Sequence, residues 1–273
     1  MKNFHVLIEA INYIEENLCN YILQEDIARE CYFSLSSLQK LFRYAFNHSI
    51  KEYITKRRLT NAAKDIVNSQ MTITEIAMKY QYNSPEVFTR AFSKLWGISP
   101  SKFKNQWKFT GIFPKLILEY NGGNVVTGKK VEISELYEVL KENQNTYVLC
   151  FDIVGFGEIN KISYEFGDKV ILQCLKRIDT VAKEDMMLFR IGGDEFALVT
   201  WLTEASEAEN LAKTVLESNG EFIDYNGQGI PVSMRVGATK IFGNNIRYNE
   251  LLDDLQNTIN VTRENKKEIF LMD

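Results

Sequence analysis

Twice within its first hundred residues the chain writes the same local pattern, and that repeat limits its folding more than any other feature. Gln24-Glu25-Asp26-Ile27-Ala28-Arg29-Glu30-Cys31 has the apolar period of a short helix and meets a break at Tyr32-Phe33-Ser34. A second amphipathic segment then runs from Leu35 to Tyr44. The pattern returns at Thr72-Ile73-Thr74-Glu75, continues through Ile76, Ala77 and Met78, breaks at Gln81-Tyr82-Asn83 and resumes from Ser84 to Lys94 before stopping at Gly97. Ser34 and Ser84 are natural N-caps, because a hydroxyl accepts from the free amides of the first turn. Pro85 takes the favoured first helical position. Asn47 suits the left-handed conformation that closes a helix. Ser49-Ile50-Lys51-Glu52 is a capping box opening a longer helix to about Asn68, and Thr72 to Glu75 is another. An amphipathic helix carrying Ile8, Ile11, Ile14 and Leu18 precedes the repeat, ending near Leu18.

Each copy has the size of a helix-turn-helix, in which the second helix enters the DNA major groove. The connector of ~18 residues spans roughly 27 Å at ~1.5 Å per residue. With the width of the units added, that sets two recognition helices about one DNA turn, ~34 Å, apart on one face of a duplex. Charge agrees with this geometry. Residues 32–110 hold 13 Lys/Arg against 4 Asp/Glu, a local +9, although the whole chain carries 32 basic and 36 acidic groups, or −4. A basic segment between acidic neighbours fits a surface that meets phosphates, or else a solvated face.

The segments Tyr13 to Asn17, Glu25 to Ala28, Ser34 to Phe42, Glu52 to Leu59, Ile73 to Ala77 and Ser84 to Gly97, with Ser99-Pro100-Ser101-Lys102-Phe103, resemble in order the DNA-binding domain of AraC/XylS-type transcription regulators. Asn47, where that family usually has Gly, is a departure. The resemblance implies base contacts from Ser36, Gln39 and Lys40 in the first unit and from Glu86 and Arg90 in the second. Gln39 matches the donor and acceptor of adenine, Lys40 or Arg90 those of guanine, and Glu86 can accept from a cytosine amine. Lys51, Lys56, Arg57, Lys102 and Lys104 are expected to meet phosphates or simply to solubilise. Leu38, Leu41, Phe42, Phe88 and Phe92 are expected in the core.

From Lys115 the texture changes. Leu116 to Tyr120 reads as a strand, Asn121-Gly122-Gly123-Asn124 as a turn and Ser134 to Leu140 as a helix. Tyr147 to Ile153 reads as a buried strand containing an acid, and Asn160 to Ala182 as helical. Leu188 to Ile191 and Phe196 to Val199 flank Gly192-Gly193-Asp194-Glu195 as a β-hairpin. A strand from Val232 to Ala238 and a helix from Leu251 to Asn265 complete an α/β (α+β) domain with a largely antiparallel sheet. One acid on a strand and two on a neighbouring hairpin can converge on a divalent cation; the alternative is a tight hairpin that merely happens to carry acids. The expected organisation is two-domain: an all-α double helix-turn-helix domain over 1–108, a connecting segment over 109–145 and the α/β domain over 146–273.

Phe151-Asp152-Ile153, Phe156, Ile159-Asn160, Gly167-Asp168 and Arg190-Ile191-Gly192-Gly193-Asp194-Glu195-Phe196-Ala197-Leu198 make this second domain similar to a GGDEF domain, the diguanylate cyclase fold. The resemblance implies Mg²⁺ held by Asp152, Asp194 and Glu195, with Asp194 and Glu195 catalytic in an active enzyme. It implies GTP read by Asn160 and Asp168, with Gly192 and Gly193 letting the backbone approach the nucleotide and Arg263 and Lys267 contacting phosphates. Two such domains must face one another to make cyclic di-GMP. The chain departs from the family in several places: Val154 replaces an acid, Gly157 a lysine, Lys161 an aspartate and Arg235 a serine. Met186 stands where the inhibitory site has an acid. Arg235 is expected to crowd the core. These departures favour a DNA-binding regulator whose second domain senses a guanine nucleotide or dimerises the protein as a homodimer. An active cyclase, or a purely structural dimeriser, are the alternatives.

The remaining composition narrows the setting. No apolar run approaches the ~18 residues of a membrane span, so no membrane role is expected. Four cysteines without a CxxC pair, in apolar surroundings, are expected as reduced, packed thiols in a cytoplasmic protein. Two histidines make a histidine-based metal site a poor expectation.

Overall fold

Helices begin at Ser34, Ser49, Thr72 and Ser84, where a hydroxyl can cap them, and the computed structural model, which describes residues 4–46, 48–106, 111–116, 119–121, 124–126, 133–142, 145–241, 247–265 and 269–272, shows the bonds. The backbone divides into two compact units, Met1–Glu132 and Ile133–Asp273. In the first, α1 (Phe4–Glu16), α2 (Gln24–Glu30) and α3 (Leu35–Phe46) precede the long α4 (Ile50–Asn68). Then come α5 (Ile73–Lys79), α6 (Pro85–Trp96), α7 (Pro100–Gln106) and a short hairpin of β1 (Glu119–Asn121) and β2 (Asn124–Val126). Ser49 Oγ accepts from the Glu52 amide at 3.2 Å while the Glu52 carboxylate accepts from the Ser49 amide at 2.7 Å. Thr72 and Glu75 repeat the exchange at the start of α5. Ser84 caps α6, and Gly97 closes it at φ +71°, the left-handed region open to glycine. Asn47 and residues 117–118 and 122–123 lie outside the described residues. α1 stops at Glu16, two residues short of expectation.

The repeat extends to individual hydrogen bonds. In the first turn the Tyr32 amide donates to the Arg29 carbonyl and the Phe33 amide to Ala28, at 3.0 and 2.9 Å. In the second, Gln81 donates to Met78 and Tyr82 to Ala77, again at 3.0 and 2.9 Å. Tyr32 and Gln81 both sit at positive φ, +49° and +63°, a conformation that costs a non-glycine residue about 1 kcal/mol. Equivalent residues bear the same strain at the same place, so the turn geometry is imposed by the packing on either side. That packing is Ile27, Leu38 and Phe42 in the first unit and Phe88, Phe92, Trp96 and Phe103 in the second, all fully buried. Phe92 meets Phe103 edge-on at 5.2 Å between ring centres.

Polar clamps fix α4 against α1 and the segment after it, and against the second copy. Near its start Glu15 accepts from Arg57 Nε and Nη2, both at 2.7 Å, and from the Tyr53 hydroxyl at 2.8 Å. Arg58 donates to the carbonyls of Leu18 and Asn20. Toward its end Asp65 accepts from Lys79 Nζ at 2.7 Å and from the Tyr80 hydroxyl at 2.9 Å. Gln81, in the second turn, donates to the Cys19 carbonyl in the segment before the first.

The second unit opens with α8 (Ser134–Glu142), β3 (Tyr147–Ile153), α9 (Phe156–Ile162), α10 (Tyr164–Val181), β4 (Met187–Arg190) and β5 (Glu195–Val199). It continues with α11 (Ala205–Leu216), the hairpin of β6 (Phe222–Tyr225) and β7 (Gln228–Pro231), β8 (Met234–Lys240), α12 (Tyr248–Glu264) and β9 (Ile269–Met272). The sheet order is β4-β5-β3-β8-β9, antiparallel except for the β8–β9 pair, as the fold class anticipated. β3 lies at its centre with all seven residues buried. The helical run expected over 160–182 is two helices, because Ser163 turns to an extended conformation and its hydroxyl caps α10 through the Phe166 amide at 3.0 Å. α11 and the β6–β7 hairpin add to the expected elements. Cys31, Cys150 and Cys174 are buried free thiols, whereas Cys19 is exposed, contrary to expectation. Burial pushes the Cys31 thiol up to about 11 and the Cys174 thiol up to about 12. No helix among the described residues is long and apolar enough to cross a membrane.

Candidate functional site

Two chemically distinct sites emerge, one in each unit. On α3 the side chains of Ser36, Gln39 and Lys40 are exposed, while Leu38 and Phe42 of the same helix are fully buried. On α6 Glu86 and Arg90 are exposed, and Phe88 and Phe92 are fully buried. Ser36 and Glu86 are each the second residue of their helix, and Lys40 and Arg90 each the sixth. Thr89 is the positional equivalent of Gln39, a residue that aligning the repeats on Leu35 and Pro85 would have singled out. The Gln39 amide donates to Gln24 Oε1 at 3.1 Å, so α2 restrains the side chain that α3 presents. The Ser84 side chain and the Glu86 backbone hydrogen-bond the Glu86 carboxylate and hold it below the usual range, keeping an acceptor on this face.

Among the residues expected to meet phosphates, Lys51, Lys102 and Lys104 are exposed, and the Lys56 ammonium lies 4.6 Å from the centre of the Phe113 ring. Arg57 is a correction. Its side chain is 10% exposed, bound to Glu15 and to the Phe113 carbonyl, so it braces α4 and is withheld from DNA. The acid that captures it, Glu15, lies 42 positions away, beyond the reach of any local pattern.

The second site is built on a row of three strands. β3 pairs Asp152 with Glu195 on β5 and with Arg235 on β8, so these three side chains stand side by side on one face. Asp194, on the hairpin turn, joins them: ligand oxygens of Asp152, Asp194 and Glu195 all lie within 4.8 Å of one another. Gly192 makes room, because a Cβ there would sit 2.2 Å from Glu195 Oε2. Arg190 shapes the same turn by donating to the carbonyls of Gly192, at 3.0 Å, and Gly193. Burial pushes its guanidinium down to about 10, against the opposing charges of Asp168 and Asp194. Asp168, on α10, is near enough for its charge to act on that guanidinium. Asn160, half-buried on α9, lies against α10 at Gly167, where a Cβ would meet Asn160 Oδ1 at 2.0 Å.

α12 supplies the other wall. Arg263 donates to both Asp152 oxygens, at 3.3 Å from Nε and in a shorter contact from Nη2, and reaches Glu195 Oε1 at 3.1 Å. Burial works against its charge, but the hydrogen bond and charge of Asp152, with the charges of Glu195 and Asp194, outweigh it and hold the guanidinium above its ordinary value. Gln256 donates to Glu195 Oε2 at 3.1 Å. Arg235 Nε lies 3.2 Å from Asp152 Oδ2. The expectation that Arg235 crowds the core is therefore wrong: the strand register carries its guanidinium to the acids, with the side chain 22% exposed. Lys267 lies outside the described residues.

Three carboxylates at this spacing have the hard oxygen donors that Mg²⁺ requires. The donor set nevertheless does not fit a resident Mg²⁺. Both oxygens of Asp152 and both of Glu195 are engaged by Arg235, Arg263 and Gln256. Arg235 and Gln256 were not anticipated as site residues; the β3–β8 register, which the sequence pattern does not fix, is what exposes Arg235's part.

Comparison with known proteins finds relatives for both units. The family description "Helix-turn-helix domain" matches residues 27–106, and "Diguanylate cyclase, GGDEF domain" matches residues 130–268. The HTH-type transcriptional activator AarP of Providencia stuartii is 34% identical over 114 residues, which is 42% of this chain and 83% of that protein. The transposon Tn10 TetD protein of Escherichia coli is 34% identical over 105 residues, 38% of this chain and 76% of that protein. The right origin-binding protein of Escherichia coli (strain K12) is 29% identical, and the chain spans 42% of its length. A solved GGDEF domain from Pseudomonas aeruginosa shares 25% identity at a TM-score of 0.40, over 46% of this chain and 76% of that one. A double helix-turn-helix with these relatives, followed by a glycine-turned acidic hairpin on a mainly antiparallel sheet, places the chain among the AraC-type helix-turn-helix regulators, with a domain of the GGDEF family fused behind.

Proposed function

We propose that this protein is a sequence-specific regulator of transcription that lays α3 and α6 into successive major grooves of one duplex, and that its second domain senses a guanine nucleotide, dimerises the chain, or both. The observation that carries the DNA half is the pairing of equivalent exposed positions, Ser36 with Glu86 and Lys40 with Arg90, on helices whose turns share the same hydrogen bonds. Gln39 and Lys40, with Glu86 and Arg90, have the groups that base edges in the major groove pair with. Lys51, Lys102 and Lys104 supply charge for the phosphates, and the partner, double-stranded DNA, makes the cytoplasm its place of work. In the second domain Asn160 and Asp168 are assigned to the guanine, Gly192 and Gly193 to close backbone approach, and Arg263 and Lys267 to the phosphates. Binding without turnover is favoured because guanidiniums already hold the oxygens of Asp152 and Glu195.

Selection from random duplexes at moderate ionic strength tests the first half: an enriched motif with two half-sites about one turn apart is expected, and no preference would refute it. Calorimetry with GTP tests the second, expecting saturable binding. Chromatography of the same mixture with Mg²⁺ checks turnover. Cyclic di-GMP that disappears with Asp194→Ala would overturn the non-catalytic reading and establish the cyclase.

A further inference from the structure

The acidic cluster sits where charge is expensive. Asp152 is 3% exposed and the Glu195 side chain 10%, so their charges persist only with compensation at short range. In the folded chain that compensation is covalently attached. Arg263 comes from a helix, on a long side chain that can swing. Arg235 comes from β8, directly opposite Asp152 in an antiparallel register that runs without interruption from Tyr147↔Lys240 to Ile153↔Met234. Seven consecutive paired positions fix its backbone beside Asp152, so its charge stays next to the acids whichever rotamer the side chain adopts.

We propose that Arg235 is part of a resident replacement for the divalent cation: its guanidinium beside Asp152, together with Arg263 across Asp152 and Glu195, offsets the charge of the acidic cluster and excludes a metal ion from it. Mg²⁺ demands near-octahedral oxygen at about 2.0–2.1 Å, so it must take Asp152 oxygens from the arginines and then stand beside a fixed positive charge. Repulsion of a dication by that charge, in a partly buried site, weakens binding far more than it does in water. The inference rests on the GGDEF reading for the position of the site, and concerns the ion alone, independently of whether nucleotide binds.

Manganese, followed by electron paramagnetic resonance on the full chain, is the probe. The unaltered protein is expected to show no saturable Mn²⁺ site at submillimolar concentration and no rise in melting temperature with Mg²⁺. Arg235→Ser is expected to gain one saturable site, with affinity raised roughly tenfold or more, and to lose it again when Asp152→Asn is added. Arg235→Lys, which keeps the charge, is expected to stay without the site. If Arg235→Ser fails to fold, Arg235→Gln, similar in length and neutral, carries the same reading. A saturable Mn²⁺ site in the unaltered protein that Asp152→Asn abolishes, or neutral variants that gain none, would overturn the proposal. GTP binding measured in EDTA reports the nucleotide reading separately, so the two can fail independently.

Discussion

Replacing Glu15 by alanine removes one acceptor that three donors share, and the structure sets the size of the loss. Arg57 Nε and Nη2 each approach Glu15 at 2.7 Å, the Tyr53 hydroxyl at 2.8 Å, and the side chains of the ion pair are 10% and 12% exposed. Little solvent is available to screen the pair or to replace it. Taking away one partner leaves a buried guanidinium short of its counter-charge, which costs about 3–5 kcal/mol, more than surface ion pairs contribute by several fold. Against a typical total of about 5–15 kcal/mol, the first unit should melt roughly 10–20 °C lower. Calorimetry on the full chain, with each unit's transition followed separately, is the assay. Glu15→Gln, which keeps an acceptor without the charge, should lose less, and a double-mutant cycle with Arg57→Met should show most of the cost as coupling. A loss under about 1 kcal/mol for Glu15→Ala, or no coupling, would refute the assignment of Arg57 to the frame and return it to the DNA surface.

Other outcomes follow from single contacts. Arg90→Ala should cost about 1–3 kcal/mol at one base position and relax preference there, whereas Lys102→Ala should weaken all duplexes evenly and flatten the salt dependence; fluorescence anisotropy against a base-substituted panel separates them. Ser49→Ala removes an N-cap and should cost about 1 kcal/mol in urea denaturation. The Ser49 side-chain and backbone hydrogen bonds hold the Glu52 carboxylate below its ordinary 4.5, so its contribution is complete above that value and fades as pH falls through the lower folded one. Acid titration of Glu52→Gln should therefore be flatter below pH 4.5 than that of the unaltered chain. Gly192→Ala must displace the Glu195 carboxylate, whose Oε2 would lie 2.2 Å from the new Cβ, and should remove whatever nucleotide affinity calorimetry finds.

Much of the fold was legible because local chemistry marks it. Ser34, Ser49, Thr72 and Ser84 place helix starts by hydroxyl geometry alone, and a Gly-Gly turn between apolar runs announces the β4–β5 hairpin. The site was half legible for the same reason: Asp194 and Glu195 are neighbours in sequence, and Asp152 ends an apolar strand. What escaped depends on register and on distant partners. Arg235 looked like a steric intruder because its position in β8 says nothing of the residue across the ladder. Arg57 looked like surface charge because Glu15 belongs to another helix. α11 lacks the capping signal that marked its neighbours, since Glu204 at its N-cap makes no side-chain capping bond. The β6–β7 hairpin was legible and was passed over: its two-residue turn is Asn226-Gly227, at φ +52° and +82°.

The same displacement, from presumed surface to interior, changes how the chain's charge should be understood in both units. Of the 13 basic residues in 32–110, Arg57 and Arg58 are spent on Glu15 and on carbonyls, and Lys79 on Asp65. The basic excess that first suggested a phosphate-facing surface is thus partly structural cement, and at most ten of those cations, 13 − 3, remain to release counterions from DNA. The affinity that remains must lean more on the base-facing residues of α3 and α6. In the second unit the logic inverts. There the acids look available for a cation, and two arginines have already taken them. On the proposed reading the same use of arginines lowers the salt dependence of DNA binding and sets Arg235 and Arg263 against a metal ion at the acidic pocket, so a measured salt slope steeper than ten released cations allow would return Arg57, Arg58 or Lys79 to the DNA surface.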